Sequence, residues 1–98
     1  MIRKNKIKLI KGIFSPEDSK AILNTLYTSK INFHNMRNFS SNERLGKPDA
    51  LSVKRIPELK ESIKTIAAIL NTAAENNYKV KLNSVVEIEF VSKKVSKK

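Results

Sequence analysis

The chain has 98 residues, with 20 Lys+Arg against 9 Asp+Glu, a formal net charge of +11, one His and no Cys. That length suits one small domain, able to bury roughly 60–68% of the surface its unfolded chain exposes, and an apolar share of 40% argues against wholesale disorder. The missing cysteines exclude a disulfide scaffold, a thiol nucleophile and every thiolate metal site, and one histidine excludes a His-only zinc centre within one chain, so no metal or cofactor is expected.

No run approaches the ~18 apolar residues of a membrane span. Residues 1–14 are basic but lack the apolar centre of a signal peptide, so the expected location is the cytoplasm. The charge sits at the ends. Arg3, Lys4, Lys6, Lys8 and Lys11 stand in the first 11 residues, and Lys93, Lys94, Lys97 and Lys98 in the last seven, with no acid in either stretch. The 80 residues between hold 11 basic and 9 acidic side chains and are close to neutral. Lys outnumbers Arg 16 to 4. A dedicated nucleic-acid surface would be expected to use more Arg, the better ligand for phosphates and base edges.

The first expected element is a strand over 6–14, KIKLIKGIF, with Ile7, Leu9 and Ile13 on one face and Lys6, Lys8 and Ile10 on the other; Gly12 marks a bulge or strand end. Ser15-Pro16-Glu17-Asp18 then opens a helix. Ser15 is a good N-cap, Pro16 suits the first helical position and the two acids favour the positive end of the helix dipole. Ala21, Ile22, Leu23, Leu26 and Tyr27 carry its apolar face to about Ser29.

Residues 30–52 read as an irregular connection. Ile31 and Phe33 alternate with polar neighbours and allow a short extended piece over 31–34, a candidate third strand. Ser40-Ser41-Asn42-Glu43 matches the capping box and predicts one helical turn over 40–45, ended by Gly46 and Pro48. A long helix follows, capped by Asp49 or Ser52. Ile56, Leu59, Ile63, Ile66, Leu70 and Ala73 keep its 3-4 spacing, Pro57 lies near its start, and Asn76-Asn77 is a left-handed stop. The last strand, about 79–91, has Val80, Leu82, Val86, Ile88 and Phe90 on one face and Lys81, Asn83, Glu87 and Glu89 on the other.

The expected fold is therefore α+β, a two-layer β-α-(short turn)-α-β domain over 1–92 with two helices on a small antiparallel sheet, followed by a disordered Lys-rich tail over 93–98. Antiparallel pairing would bring Lys6 and Lys8 near Glu87 and Glu89. A two-stranded sheet is marginal alone and leaves its edges open. The expected answer is a homodimer, through edge pairing into four strands or through face packing.

The densest set of chemically able residues lies in the connection. Arg37, Arg44 and Lys47 beside a helix start at Ser40 are candidates for binding an anion or a partner, and His34 with Glu43 is a conceivable acid–base pair. The plainer expectation is that Ser40 and Glu43 cap each other, Arg44 pairs with Asp49 and His34 is half-buried. No nucleophile motif, P-loop, dinucleotide fingerprint or metal-ligand spacing occurs, so no catalytic residue is assigned. In an antiparallel sheet Arg3, Lys4 and Lys6 would converge with Lys93, Lys94, Lys97 and Lys98 at one end, a second place to hold phosphates.

The segment KINFHNMRNFSSNERLGKPD, residues 30–49, with FSPEDSKAIL before it, resembles a family of short uncharacterised bacterial proteins that share an I-N-F-H segment, an N-F-S-S-x-E-R segment and a G-K-x-D segment. The resemblance implies a β-α-α-β domain and no activity or ligand; Pro57 and the Lys-rich tail depart from its pattern. The function expected from all of this is a non-catalytic binding or assembly module, homodimeric and with its protein partner unidentified. The alternative is association with nucleic acid or another polyanion through the basic ends.

Overall fold

Four elements follow one another: strand β1 (Lys4–Phe14), helix α1 (Pro16–Leu45), helix α2 (Ala50–Glu75) and strand β2 (Val80–Glu89). The structure is a computed structural model and describes residues 4–93. The order is the expected β-α-α-β of an α+β chain, with β1 and β2 paired antiparallel in a two-stranded sheet. The chain divides into two compact units, one made by the strands and one, Phe14–Val80, by the helices.

In the helical unit every boundary has a local cause. The Ser15 side chain accepts the Asp18 N–H at 3.0 Å, Pro16 opens the first turn, and Glu17 and Asp18 lie at the positive end of the dipole. Gly46, at φ 73°, ends α1 and returns its N–H to Asn42 O. Asp49 caps α2 by accepting the Ser52 N–H. At the far end Asn77 takes the left-handed φ of 59°. The N–H groups of Asn77 and Tyr78 return to the carbonyls of Ala74 and Ala73, the paired bonds of a Schellman ending. Pro57 stands inside α2, where its missing N–H leaves the Val53 carbonyl without its intrahelical donor.

Helix α1 corrects the reading of residues 30–45. It does not stop near Ser29. Residues 31–34 are helical, so they supply no third strand, and the expected turn over 40–45 is the last part of the same 30-residue helix. Ser40 is exposed in the helix interior and caps nothing. The physical reason is a stripe at helical spacing. Tyr27, Ile31, His34, Asn38 and Ser41 are all turned from solvent, and α1 packs along α2. That packing outweighs the weak helix propensity of Asn, Ser and Phe in this segment. The matching residues of α2 are Ile56, Leu59, Ile63, Ile66, Leu70 and Ala73, the spacing read from the sequence, extended one turn earlier by Ser52.

In the strand unit the exposure is the reverse of the expected one on β1, while on β2 Val80 and Leu82 are half-buried and Lys81 and Asn83 exposed, as expected. Ile7, Leu9 and Ile13 were assigned to the covered face, yet they are 56%, 53% and 67% exposed, while Ile10 of the opposite face is buried. On β2, every residue from Val85 to Glu89 is exposed. Lys6 meets Glu87 at 3.8 Å, as the antiparallel pairing required. Both side chains are largely in water, so the pair adds little stability.

The continuous helix makes a simple forecast. An exposed Ser in a helix interior is a poorer helix former than Ala, so Ser40→Ala should leave the thermal melt unchanged or raise stability by up to ~0.5 kcal/mol. A loss of about 1 kcal/mol, the cost of removing an N-cap, would mean that a helix starts there.

Candidate functional site at the helical turn

The turn between the helices gathers most of the polar residues singled out in the sequence, in a different arrangement. Asp49 is its centre. One carboxylate oxygen accepts the Ser52 N–H at 3.0 Å and the Ser52 hydroxyl at 2.9 Å. The other lies 3.6 Å from the Arg37 guanidinium, so Arg37 takes the place expected of Arg44. The Asp49 N–H donates to Asn38 Oδ1 at 3.0 Å, and the Ser41 hydroxyl donates to the Lys47 carbonyl at 2.7 Å. Hydrogen bonds from Ser52, with Arg37 nearby, hold the Asp49 carboxyl below its ordinary pKa.

His34 belongs to this network from the inside. It is 4% exposed, and its Nδ1 lies 2.8 Å from Ser52 Oγ. Because the Ser52 hydroxyl hydrogen is directed to Asp49, His34 Nδ1 is the donor of that contact and Ser52 the acceptor. A relay His34–Ser52–Asp49 thus crosses from α1 to α2. His34 Nε2 is buried with no partner, and the ring meets Phe33 edge-on at 5.3 Å. The conceivable His34–Glu43 pair does not form. Nine residues along one helix place the two on opposite sides, His34 buried and Glu43 exposed.

Beside the network lies an open cleft of about 410 Å3, lined by Phe33, Met36, Arg37, Ser40, Ser41, Arg44 and Leu45 of α1, with Asp49. Three of the five candidates for anion or partner binding, Arg37, Ser40 and Arg44, meet here; His34 and Lys47 do not line it. Lys30 and Arg37 stand 5.3 and 5.8 Å from the Phe33 ring centre, within cation–π range. Arg37 is shared between that ring and Asp49, which leaves Arg44 as the cleft's cation without an ion-pair partner among the described residues. The cleft offers charge and apolar area, and no activated nucleophile.

Of the basic ends, Arg3, Lys94, Lys97 and Lys98 lie outside the described residues. Lys4 and Lys6 line a small hollow with Glu87 and Glu89 among the described residues. Among the described residues no three His, Cys, Asp or Glu side chains gather for a metal ion, and no helix is long and apolar enough to cross a membrane. Set against protein-family models, curated proteins and solved structures, the chain finds no match.

The role of Ser52 as a bridge escaped the sequence reading. Its signal was present in the 4-3-4-3 spacing of Tyr27, Ile31, His34, Asn38 and Ser41, which carries one face of α1 straight through the supposed connection.

Two outcomes follow from the network. Ser52→Ala strands the buried His34 N–H and should cost about 1–3 kcal/mol in a denaturant melt. In the double variant with His34→Leu that stranded donor is gone, so the double loss should be smaller than the sum of the single losses. Strict additivity would show that the two side chains do not act together. The Asp49 carboxyl has a lower pKa folded than unfolded, so acid drives protons onto the unfolded chain first. Its stabilisation is complete above the ordinary carboxylate range and fades as pH falls below about 4. Asp49→Asn should flatten the pH dependence of stability in that range, and an unchanged slope would remove Asp49 from the account.

Proposed function

We propose that the chain is a non-catalytic assembly module that works as a homodimer through its strand unit. The observation that carries this reading is the exposed aliphatic surface of a two-stranded sheet. Lys6 and Glu87 share one face, so strand alternation places Ile7, Leu9 and Ile13 with Val86 and Ile88 on the other. All five are exposed, Val86 at 38% and Ile88 at 42% being the least so. Two strands alone are marginal in water, and contiguous apolar surface of this kind marks an interaction site. At the helical turn the buried polar groups bond to each other apart from His34 Nε2.

Sedimentation equilibrium at about 100 μM should show a species of twice 11.1 kDa, and Ile88→Lys should shift it toward monomer. A single 11.1 kDa species at that concentration would overturn the reading.

A further inference from the structure

Among the described residues the sheet has two open edges, and they differ in charge. Strand β1 carries Lys4, Lys6, Lys8 and Lys11 and no acid. Pairing it with its own copy would bring lysines together, and lysines on an edge are a common guard against such pairing. Strand β2 carries Lys81 toward one end and Glu87 and Glu89 toward the other. Turned end for end, that pattern complements itself.

We propose that two copies of the chain join by antiparallel pairing of β2 with β2 across a two-fold axis at Val85, giving a four-stranded sheet in the order β1-β2-β2-β1. This inference rests on the homodimeric reading and adds the β2 edge, with its register, to the aliphatic face: edge pairing joins the two exposed faces into one continuous surface and does not itself cover it. Side chains directly opposite each other across an antiparallel pair share a face, so the register must pair odd positions with odd ones to keep charged residues with charged and aliphatic with aliphatic. A centre at Val85 sets Lys81 opposite Glu89 of the second copy, twice, and Leu82 opposite Ile88, twice. A centre at Ser84 would set Lys81 against Glu87. Glu87 is already engaged by Lys6, whereas Lys81 and Glu89 have no ion-pair partner among the described residues, which favours the centre at Val85. No strand among the described residues pairs with the outer edge of β2, and Val85 itself is 42% exposed. A two-fold of this kind closes after two copies, unlike β1-to-β2 pairing, which would propagate into filaments.

The chain has no cysteine, so single cysteines report the register. Opposed Cα atoms in an antiparallel pair are about 4.5–5.5 Å apart, within disulfide range. In the full chain, Val85→Cys should oxidise in air to a covalent dimer faster than Ser84→Cys or Asn83→Cys. Lys81→Glu and Glu89→Lys should each weaken the dimer about tenfold by sedimentation, and the double exchange should recover the affinity of the parent. Recovery also shows that the single variants had not merely unfolded. Fastest coupling at position 84, or a double exchange as weak as the single ones, overturns the register. A dimer with no coupling at 83, 84 or 85, or a polymer in place of a dimer, overturns the edge pairing while leaving self-association standing. A monomer at every concentration fails the homodimeric reading itself.

Discussion

Asp49 closes the turn between two long helices, and the rest of the helical unit depends on that closure. A turn of four residues, 46–49, must reverse the chain and leave no buried polar group unpaired. One carboxylate meets most of that demand. It caps α2 through the Ser52 N–H, fixes the Ser52 hydroxyl and faces Arg37, while its own N–H is held by Asn38. With the hydroxyl fixed, Ser52 can accept from His34, and a polar residue can sit where an aliphatic one would otherwise be required. The buried Nε2 of His34 is the group this solution leaves unpaired. Polar contacts of this kind specify alignment where aliphatic packing would tolerate sliding. They fix which turn of α1 stands against which turn of α2.

The legibility of the chain follows from the range of the forces involved. Caps and stops are local, and Ser15, Pro16, Gly46, Asp49 and Asn77 all act where their side chains or backbone preferences place them. Strand alternation in β2 and the spacing of α2 were equally plain, because aliphatic residues carry them. The second half of α1 was not, because its inward stripe is written in His34, Asn38 and Ser41. Read one at a time these are turn formers, and Ser40 to Glu43 even copies a helix start. Only the turn and the partner helix make them interior residues: Ser52 of α2 meets His34, while the Asp49 N–H and the Lys47 carbonyl of the turn meet Asn38 and Ser41. The candidate site shared that fate. Arg37, Ser40 and Arg44 were grouped as neighbours of a supposed helix start; they line one cleft because three- and four-residue steps bring them to one side of a continuous helix, and their neighbour Phe33 and the diversion of Arg37 to Asp49 required the fold.

The strand unit poses the opposite problem. Its pattern was easy to read and its environment was not. Ile7, Leu9 and Ile13 have the spacing of a buried face, and a strand reader has no means of knowing that a face so patterned stands open. Ile10, grouped with two lysines, is the buried one. Alternation identifies which residues share a face; it does not say what, or whose chain, covers that face.

The contrast between the units bears on function. Where the helices pack, the polar side chains of the turn bond to one another, and among the described residues only Ser19 Oγ and His34 Nε2 are buried without a partner. Where the strands pair, the backbone of each has one satisfied edge and, among the described residues, one open, and six aliphatic side chains, Ile7, Leu9, Ile13, Val85, Val86 and Ile88, are exposed. A chain of this size has little core to spare, and the burial withheld from the sheet is the stabilisation most available to an association. The basic character of β1 then has a role that needs no nucleic acid. Four lysines along one strand discourage pairing at that edge, while the mixed charges of β2 permit it at the other. In the proposed dimer, repulsion between lysines at one edge would direct association to its opposite.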